Sequence, residues 1–156
     1  MKNNTAIFPG SFDPLTLGHI DIIQNSLQIF SNIIIAIGVN EKKNHMYSVK
    51  KRKQFIHSIF KNENRIMIKE YNMLTVNFCK KHKANHIIRG LRNSKDFEYE
   101  KNIALANEEL NNNIKTIFIP AKKDHMFISS SIVREIIIHR GDLRSFLPPQ
   151  IISQIV

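Results

Sequence analysis

Apolar residues along the chain follow two patterns, one typical of strands buried on both faces and one typical of amphipathic helices. The stretch 33–39 is dominated by β-branched residues and has no polar face, as expected of a strand that is covered on both sides. The segment that begins at Gly18 instead carries apolar residues at helical spacing: Ile20, Ile23, Leu27 and Phe30. Both patterns recur, which predicts that strands and helices alternate along the chain.

This alternation predicts an α/β fold. Strands are predicted at residues 5–8, 33–39, 65–70, 86–89 and 115–119. Helices are predicted from Gly18, at 49–60, at 75–83, at 96–110, from the serines at 129–131 to His139, and from Pro148-Pro149 onward. We therefore expect an open five-stranded parallel sheet with helices on both faces, folded as one domain over residues 1–156.

An open parallel sheet also predicts where a ligand binds, because ligands of such sheets lie beyond the carboxyl ends of the strands. The segments that follow the predicted strands are residues 9–19, 40–47, 73–75, 89–92 and 121–131. We expect these segments to converge on one crevice.

Charge and composition narrow the choice of ligand and location. The chain has 23 Lys and Arg residues against 13 Asp and Glu, a formal net charge of +10 at pH 7, which favours a polyanionic partner. The single cysteine, Cys79, excludes an internal disulfide and fits a reducing compartment. No signal-peptide pattern opens the chain, and no apolar run approaches the ~20 residues of a membrane helix. We expect a cytoplasmic protein with no membrane partner.

The stretch 8–19 combines glycines with a histidine at a helix start. Gly10 and Gly18 permit close backbone approach, and His19 lies where free N–H groups and the helix dipole attract anions. A helix capped by the histidine explains residues 16–19 taken alone, whereas the whole stretch favours a phosphate site.

Three further segments offer cations or hydroxyls after predicted strands. Arg89 and Arg92 flank two residues directly after a strand, and the rigid fork of arginine donors suits phosphate. The hydroxyls at 129–131 open a helix, where one cap would suffice, so an anion site and a redundant cap explain them equally well. Lys42 and Lys43 lie in the loop after the second strand, and the topology brings that loop to the crevice.

Together these segments resemble the bacterial phosphopantetheine adenylyltransferases. The resemblance rests on Phe-Pro-Gly-Ser-Phe-Asp-Pro-Leu-Thr-Leu-Gly-His at 8–19, Ile-Arg-Gly-Leu-Arg at 88–92, Asp-Phe-Glu-Tyr-Glu at 96–100 and Phe-Ile-Ser-Ser-Ser at 127–131. It covers residues 6–148, whereas Thr-Leu-Gly-His alone is typical of the wider superfamily with the [His/Thr]-x-Gly-His signature. It implies a Rossmann-like nucleotidyltransferase fold and the transfer of AMP from ATP to 4′-phosphopantetheine. The products would be dephospho-coenzyme A, on the route to coenzyme A, and pyrophosphate, made by a Mg²⁺-dependent homohexamer.

The resemblance also implies a set of site residues. Catalytic roles would fall to His19, Ser11, Lys43 and Arg92. ATP would be bound by Ser11, Phe12, His19, Gly90, Leu91, Arg92, Glu100, His125, Met126, Phe127, Ile128, Ser129, Ser130 and Ser131. Phosphopantetheine would be bound by Ser11, Lys43, Thr75, Arg89 and Asn107. Within these sets, Arg92 and the serine turn would hold the β- and γ-phosphates, and Arg89 and Lys43 the acceptor phosphate; no residue is assigned to a metal.

Some positions depart from the family pattern. Ser11 replaces a common threonine and keeps the hydroxyl, whereas His125 replaces an aromatic residue, often Trp or Tyr, near the adenine. Lys50 and Lys51 stand where acidic residues often open a helix, and each opposes the helix dipole by roughly 0.3–1 kcal/mol when exposed.

The implied reaction needs no protein base or nucleophile. A phosphate monoester has a second pKa of ~6, so the acceptor is already mostly a dianion at neutral pH. Because two polyanions must be brought together, positioning and electrostatic stabilisation should carry catalysis. The crevice segments hold no carboxylate cluster able to cage a metal, so we expect Mg²⁺ to be carried by the ATP phosphates. Spacing to residues 46–47 favours Lys43 over Lys42 as the acceptor lysine, and the choice stays open.

Two other functions stay open at this point. One is a related nucleotidyltransferase with another acceptor, such as a cytidylyltransferase or a nicotinamide-mononucleotide-type enzyme. The other is an RNA-binding protein, suggested by the net charge of +10. No aromatic-basic strand motif supports RNA binding, so we expect no nucleic-acid partner. His82 and His86 share no helix face in the predicted structure, so we expect no zinc site.

Overall fold

The structure is a computed structural model that describes residues 4–40, 42 and 44–155. Lys43, predicted to bind the acceptor phosphate, therefore lies outside the described residues. The strands are β1 (Thr5–Gly10), β2 (Asn32–Gly38), β3 (Ile66–Tyr71), β4 (His86–Leu91) and β5 (Lys115–Pro120). The helices are α1 (Leu17–Ser26), α2 (Val49–Phe60), α3 (Thr75–Lys81), α4 (Ser94–Leu110), α5 (Ser130–Ile138) and α6 (Pro149–Ile155), with a short 3₁₀ turn at Lys123–His125.

The described strands form one parallel sheet in the order β3-β2-β1-β4-β5, which confirms the predicted fold class. From β1 the chain winds outward through β2 to β3, then crosses to the other side of β1 for β4 and β5. The winding direction therefore reverses between β1 and β4. In such sheets this reversal point is where ligands bind.

Side chains of the central strands point alternately to the two faces of the sheet, and each face is covered by a layer of helices. Ile33, Ile35 and Ile37 of β2 face the layer of α1, α2, α5 and α6, whereas Ile34 faces the layer that contains α3. This two-sided burial is what the continuous apolar run of β2 predicts. Cys79 of α3 is fully buried in the second layer, and burial raises the pKa of its thiol to about 11, so it packs as an apolar side chain.

β1 and β4 separate near their carboxyl ends, and the separation leaves a gap at the point where the winding direction reverses. β1 pairs with β4 only at Ala6 and Ile7, although β1 continues beside β2 to Gly10 and β4 continues beside β5 to Leu91. Pro9 lies two residues beyond Ile7 and has no N–H to donate, which disfavours continuation of the β1–β4 ladder there. Both strands thus run further than predicted, and a cleft lies between their ends.

The predicted helices are confirmed, with one difference in how α4 packs. Tyr99, Ile103, Ala106 and Leu110 stand at helical spacing, which predicts an apolar stripe, but none of the residues of α4 is buried. Tyr99 is 68% exposed and Leu110 57% exposed, because α4 lies over the edge of the sheet beside β4 and β5. None of the helices in the described part of the chain is long and apolar enough to span a bilayer.

The basic start of α2 has a partial structural explanation. Ser48 caps the helix by accepting from the backbone N–H of Lys51 at 3.2 Å. The ammonium of Lys51 lies 5.3 Å from the centre of the Phe55 ring, a cation–π contact. Nothing in the structure explains Lys50.

Candidate active site

Two adjoining cavities open at the carboxyl edge of the sheet. The first, here the α1 cavity, has a volume of about 330 Å³ and lies between the ends of β1 and β4 and the starts of α1 and α5. The second, the α3 cavity, has a volume of about 830 Å³ and lies beyond β2 and β3, beside the start of α3. Both are lined by Pro9, Gly10, Ser11 and Arg89. The segments predicted to converge do so, on two cavities with a common wall rather than on one undivided crevice.

His19 lines the α1 cavity in a fixed orientation. The backbone N–H of Thr16 donates to Nδ1 of His19 at 3.1 Å, and the Thr16 hydroxyl accepts from the backbone N–H of His19. Because a backbone N–H can only donate, Nδ1 carries no proton and the ring proton is on Nε2. Burial, followed by the positive charges of Arg92 and Arg89, lowers the pKa of His19 to about 4. The imidazole is therefore neutral at pH 7 and offers one N–H donor.

Phe12 supports His19 from below. Its ring is 1% exposed and makes edge contacts with Phe8 and His19, at centroid distances of 5.4 and 5.2 Å. The residue has φ of 49°, a conformation that side chains other than glycine adopt at a cost. Gly10 leaves the ring room, since a Cβ there would lie 2.9 Å from it. Because the ring is packed, only the backbone of Phe12 is available for the ATP contact that the sequence predicts.

Arg89 stands in the wall that the two cavities share. Its Nε and Nη2 groups donate to the carboxylate of Glu100 on α4, and Nη1 donates to the Pro9 carbonyl at 3.2 Å. The two-point pairing fixes the guanidinium plane and leaves donors for a ligand. Arg89 and Glu100, predicted for different substrates, thus lie in direct contact.

Arg92 is held in the same way on the α1 side. It makes a two-point pair with Asp96, at 2.8 Å from Nε and 3.2 Å from Nη2, and Nη1 donates weakly to the Ile128 carbonyl at 3.4 Å. Arg92 lines the α1 cavity but not the α3 cavity. The two arginines therefore differ in which cavities they reach.

The three serines of the 129–131 turn make three different contacts. Ser129 caps α5 by accepting from the backbone N–H of Ile132 at 3.2 Å. Ser130 donates to the Pro14 carbonyl at 2.9 Å, and Ser131 accepts from Arg134 at 3.1 Å. Only Ser129 acts as the cap, and Ser130 and Ser131 make contacts of their own, so these two are not redundant caps. All three line the α1 cavity, together with the first-turn N–H groups of α5.

His125 is tied to α1 through a buried carboxylate. Its Nδ1 lies in hydrogen-bonding contact with Asp21, which is 5% exposed, and Lys122 lies 3.2 Å from the other oxygen of the same carboxylate. The contacts of Asp21 with Lys122 and His125 thus lie where the family resemblance implies an aromatic residue. They anchor the 3₁₀ turn to the helix that carries His19.

The remaining predicted residues divide between the cavities and their surroundings. Gly90, Glu100 and Ile128 line the α1 cavity, and Thr75 lines the α3 cavity, as does Lys42. Leu91, Met126 and Phe127 line neither, and Phe127 instead packs on Phe146. Asn107 lies one helical turn beyond Ile103, which lines the α3 cavity, and does not itself line it.

Three residues that the sequence reasoning did not select help to build the site. Arg134 lines the α1 cavity, Asp13 is a buried carboxylate, and Arg52 is a buried guanidinium that donates to the Ser11 carbonyl at 2.6 Å. Arg52 could have been found, because it stands at the spacing of the apolar positions Val49, Phe55 and Ile56, where a charge needs a partner.

Two carboxylates beside the α1 cavity, those of Glu100 and Asp96, are committed to arginines. Within residues 4–40, 42 and 44–155, no group of three or more His, Cys, Asp or Glu side chains is placed to hold a metal ion. The donors that remain are N–H groups and hydroxyls, which suit phosphate oxygens.

Comparison with known proteins also indicates a protein that binds nucleotide phosphates. Residues 7–136 match the family described as cytidylyltransferase-like. A phosphopantetheine adenylyltransferase of Flavobacterium psychrophilum is 52% identical over 92% of this chain and 94% of its own, and one of Thermotoga neapolitana is 39% identical over 94% and 91%.

The fold is also that of solved nucleotidyltransferases. A crystal structure described as a putative nicotinate-nucleotide adenylyltransferase from Vibrio parahaemolyticus matches with a TM-score of 0.77 over 98% of both chains, at 19% identity. At that identity the likeness concerns the fold alone. The family match and the identities over most of both chains go further: the chain belongs to the cytidylyltransferase-like family and, within it, to the phosphopantetheine adenylyltransferases.

Proposed function

We propose that the protein transfers AMP from ATP to 4′-phosphopantetheine, with the triphosphate in the α1 cavity and the pantetheine arm in the α3 cavity. The observation that carries this assignment is the wall shared by the two cavities, where Ser11 and Arg89 stand. The reacting phosphates of two substrates in adjoining cavities must meet at the boundary between the cavities. The family membership supplies the identity of the substrates.

The larger α3 cavity suits a long and weakly charged arm. Its lining combines backbone of the strand ends with Thr75, Tyr71 and Met73, and it approaches α4 at Ile103. Thr75 accepts or donates a hydrogen bond with Tyr71 at 3.2 Å, so its hydroxyl is held at the cavity wall. We propose that Thr75 contacts the amide-bearing arm, that Asn107 contacts its far end, and that Lys43 joins Arg89 at the acceptor phosphate.

The reaction follows from the charges. An oxygen of the acceptor phosphate forms a bond to the α-phosphorus of ATP, and the bond from that phosphorus to the bridging oxygen breaks and releases pyrophosphate. Negative charge moves onto the leaving pyrophosphate, where Arg92, His19 and the serine turn would meet it. These groups are already fixed by their partners, so little reorganisation is needed when charge moves.

His19 stabilises this step as a hydrogen-bond donor rather than as an acid or base. With a pKa of about 4, it remains neutral throughout the physiological range. Its Nδ1 is occupied by Thr16, so only Nε2–H faces substrate. A neutral imidazole here stabilises the developing negative charge by a hydrogen bond, and it carries no acidic imidazolium proton to transfer to the substrate.

The residues present fit a magnesium ion that enters with the nucleotide. Mg²⁺ favours phosphate oxygens and water, and the carboxylates of Glu100 and Asp96 beside the α1 cavity are held by arginines. When bound, the ion would neutralise part of the triphosphate charge. The site's own contribution is the set of N–H and hydroxyl donors around it.

A coupled assay of pyrophosphate release tests the function. ATP with 4′-phosphopantetheine should give turnover and dephospho-coenzyme A, whereas CTP, or nicotinate mononucleotide as the acceptor, should not. The His19→Ala protein serves as the control for contaminating activity. Turnover with another acceptor and none with phosphopantetheine would contradict the assignment.

We further propose a cytoplasmic homohexamer. The support is α4, a 17-residue helix without a buried residue that exposes Tyr99, Leu105 and Leu110 by 57–68%. Exposed apolar area of this kind is typical of contacts between chains. Light scattering should give six times the chain mass of 18.2 kDa, and a mass of one chain would contradict it. Cell fractionation would test the compartment.

A further inference from the structure

We propose that Asp13 is a positioning residue, which fixes the loop after β2 against Ser11 and so shapes the acceptor side of the site. Asp13 lies two residues after Ser11 and is 1% exposed. It lines neither the α1 cavity nor the α3 cavity. Its influence on a substrate must therefore pass through the residues that it holds.

The carboxylate of Asp13 is fully engaged by that loop. The backbone N–H of Met46 donates to Oδ2 at 2.8 Å, and that of Tyr47 donates to Oδ1 at 2.9 Å. Nδ1 of His45 lies 3.4 Å from Oδ2. The same loop contributes Lys42 and His45 to the α3 cavity. Three contacts thus join a residue of the Ser11 segment to the loop that lines the acceptor side.

A buried arginine completes the attachment. Nη1 of Arg52 donates to the Ser11 carbonyl at 2.6 Å, and its Nε donates to the Tyr47 carbonyl at 3.2 Å. Asp13 therefore holds the N–H of Tyr47, while Arg52 holds its carbonyl. Both charged side chains are 1% exposed, and breaking such buried contacts is costly. The position of the loop relative to Ser11 is set from both sides.

The backbone at Asp13 contacts residues that line the α1 cavity. Arg134 of α5 donates to the Asp13 carbonyl at 2.8 Å, and Ser130 donates to the Pro14 carbonyl at 2.9 Å. The side chain of Asp13 thus faces the acceptor side, and its backbone faces the α1 cavity. A substitution of Asp13 removes the contacts of its side chain with the loop after β2 and keeps the contacts of its backbone with α5. The inference rests on the proposed placement of phosphopantetheine in the α3 cavity.

The chain offers a matched control in Asp21. It too is a buried carboxylate, 5% exposed, in contact with a histidine, but its partners His125 and Lys122 belong to the α1 side. Asp13→Asn and Asp21→Asn each replace one oxygen acceptor by a donor group of the same size. A role in stability alone would affect the two substrates equally in either variant.

Steady-state assays of pyrophosphate release, with each substrate varied in turn, test the proposal. Asp13→Asn is expected to raise the KM for phosphopantetheine about tenfold, the effect of about one charge-assisted hydrogen bond, and to leave the KM for ATP within about twofold. Asp21→Asn is expected to raise the KM for ATP more than that for phosphopantetheine. Equal increases for both substrates in Asp13→Asn, or an unchanged KM for phosphopantetheine, would overturn the proposal.

Hydrogen exchange supplies a second test on the unsubstituted protein. The amides of Met46 and Tyr47 belong to a loop, yet the contacts with Asp13 predict that they exchange slowly. Rapid exchange at both would overturn the proposal even if Asp13→Asn failed to fold. This readout does not depend on activity. Slow exchange in a protein that makes no dephospho-coenzyme A would therefore count against the proposed function, while the attachment of the loop to Asp13 would stand.

Discussion

The two cavities differ in the groups that line them: the α1 cavity is lined by polar donors that protein partners hold in place, and the α3 cavity is larger and lined in part by exposed side chains. In the α1 cavity, His19 is fixed by Thr16, Arg92 by Asp96 and Ser130 by the Pro14 carbonyl. The α3 cavity has more than twice the volume, about 830 against 330 Å³, and its wall includes exposed Lys42 and Met73. Rigid donors are useful where charge moves during the reaction, whereas a flexible arm needs length and few fixed contacts. The difference separates a place for chemistry from a place for binding.

The largest expected effect is on the rigid side. His19→Ala should lower kcat by about 10²–10³, because one fixed donor to the developing charge is lost. The KM for ATP should change far less, since the contact strengthens as charge shifts to the leaving group. Rapid-mix measurements of pyrophosphate release check this. A variant with the kcat of the unsubstituted protein would remove His19 from the mechanism and weaken the contrast between the cavities.

A pH effect on stability tests the same fixed histidine. The pKa of His19 is about 4 when folded, against the ordinary value of 6.5 expected when unfolded, so the unfolded chain binds the proton first. The free energy of unfolding should therefore be unaffected by His19 above pH 6.5 and should fall by about 3 kcal/mol as pH drops from 6.5 to 4.

Urea titrations at several pH values measure this fall. His19→Asn keeps an acceptor for the Thr16 N–H and cannot titrate, so its stability should decline less steeply over the same interval. Identical slopes for the two proteins would mean that His19 is not held neutral.

The arginine pair tests the division between the cavities. Arg89→Ala should raise the Kd for phosphopantetheine about tenfold, and Arg92→Ala should raise the Kd for ATP by a similar factor, since each loses charge-assisted hydrogen bonds. Isothermal titration with each substrate separately would measure both. Loss of affinity for ATP alone in Arg89→Ala would show that the shared wall is assigned to the wrong side.

The smallest effect is expected at Ser11, which borders both cavities. Ser11→Thr keeps the hydroxyl at an exposed position and should change either KM by less than about twofold, since an exposed change away from packing is close to neutral. Ser11→Ala is the matched variant, and it should impair both substrates because the hydroxyl is lost. An effect of Ser11→Ala on one substrate alone would place this residue within a single cavity.

The fold was predictable because its strands are strongly patterned. The continuous apolar run of β2 predicts a strand covered on both faces, and this is confirmed. The fate of the α4 stripe was not predictable, since periodicity indicates an apolar face but not which chain covers it. Proline and glycine are typical of strand ends, so Pro9 and Gly90 predict that β1 and β4 end before these residues. Both strands instead continue beside their outer neighbours, to Gly10 and Leu91.

The site was predictable where short segments carry the chemistry. The glycine-histidine and arginine segments are contiguous in sequence, and the sheet topology brings them together. Asp13 and Arg52 are different, because their roles depend on contacts across 33 to 41 residues of sequence. The contact of Asp21 with His125 spans 104 residues, and no local pattern predicts it.

A crystal structure of the protein with dephospho-coenzyme A tests the central claim most directly, because this product should occupy both cavities at once. The account predicts the adenylyl group in the α1 cavity, the pantetheine arm along Thr75 in the α3 cavity, and the linking phosphates between Ser11 and Arg89. A product bound wholly within one cavity, or away from the shared wall, would contradict it.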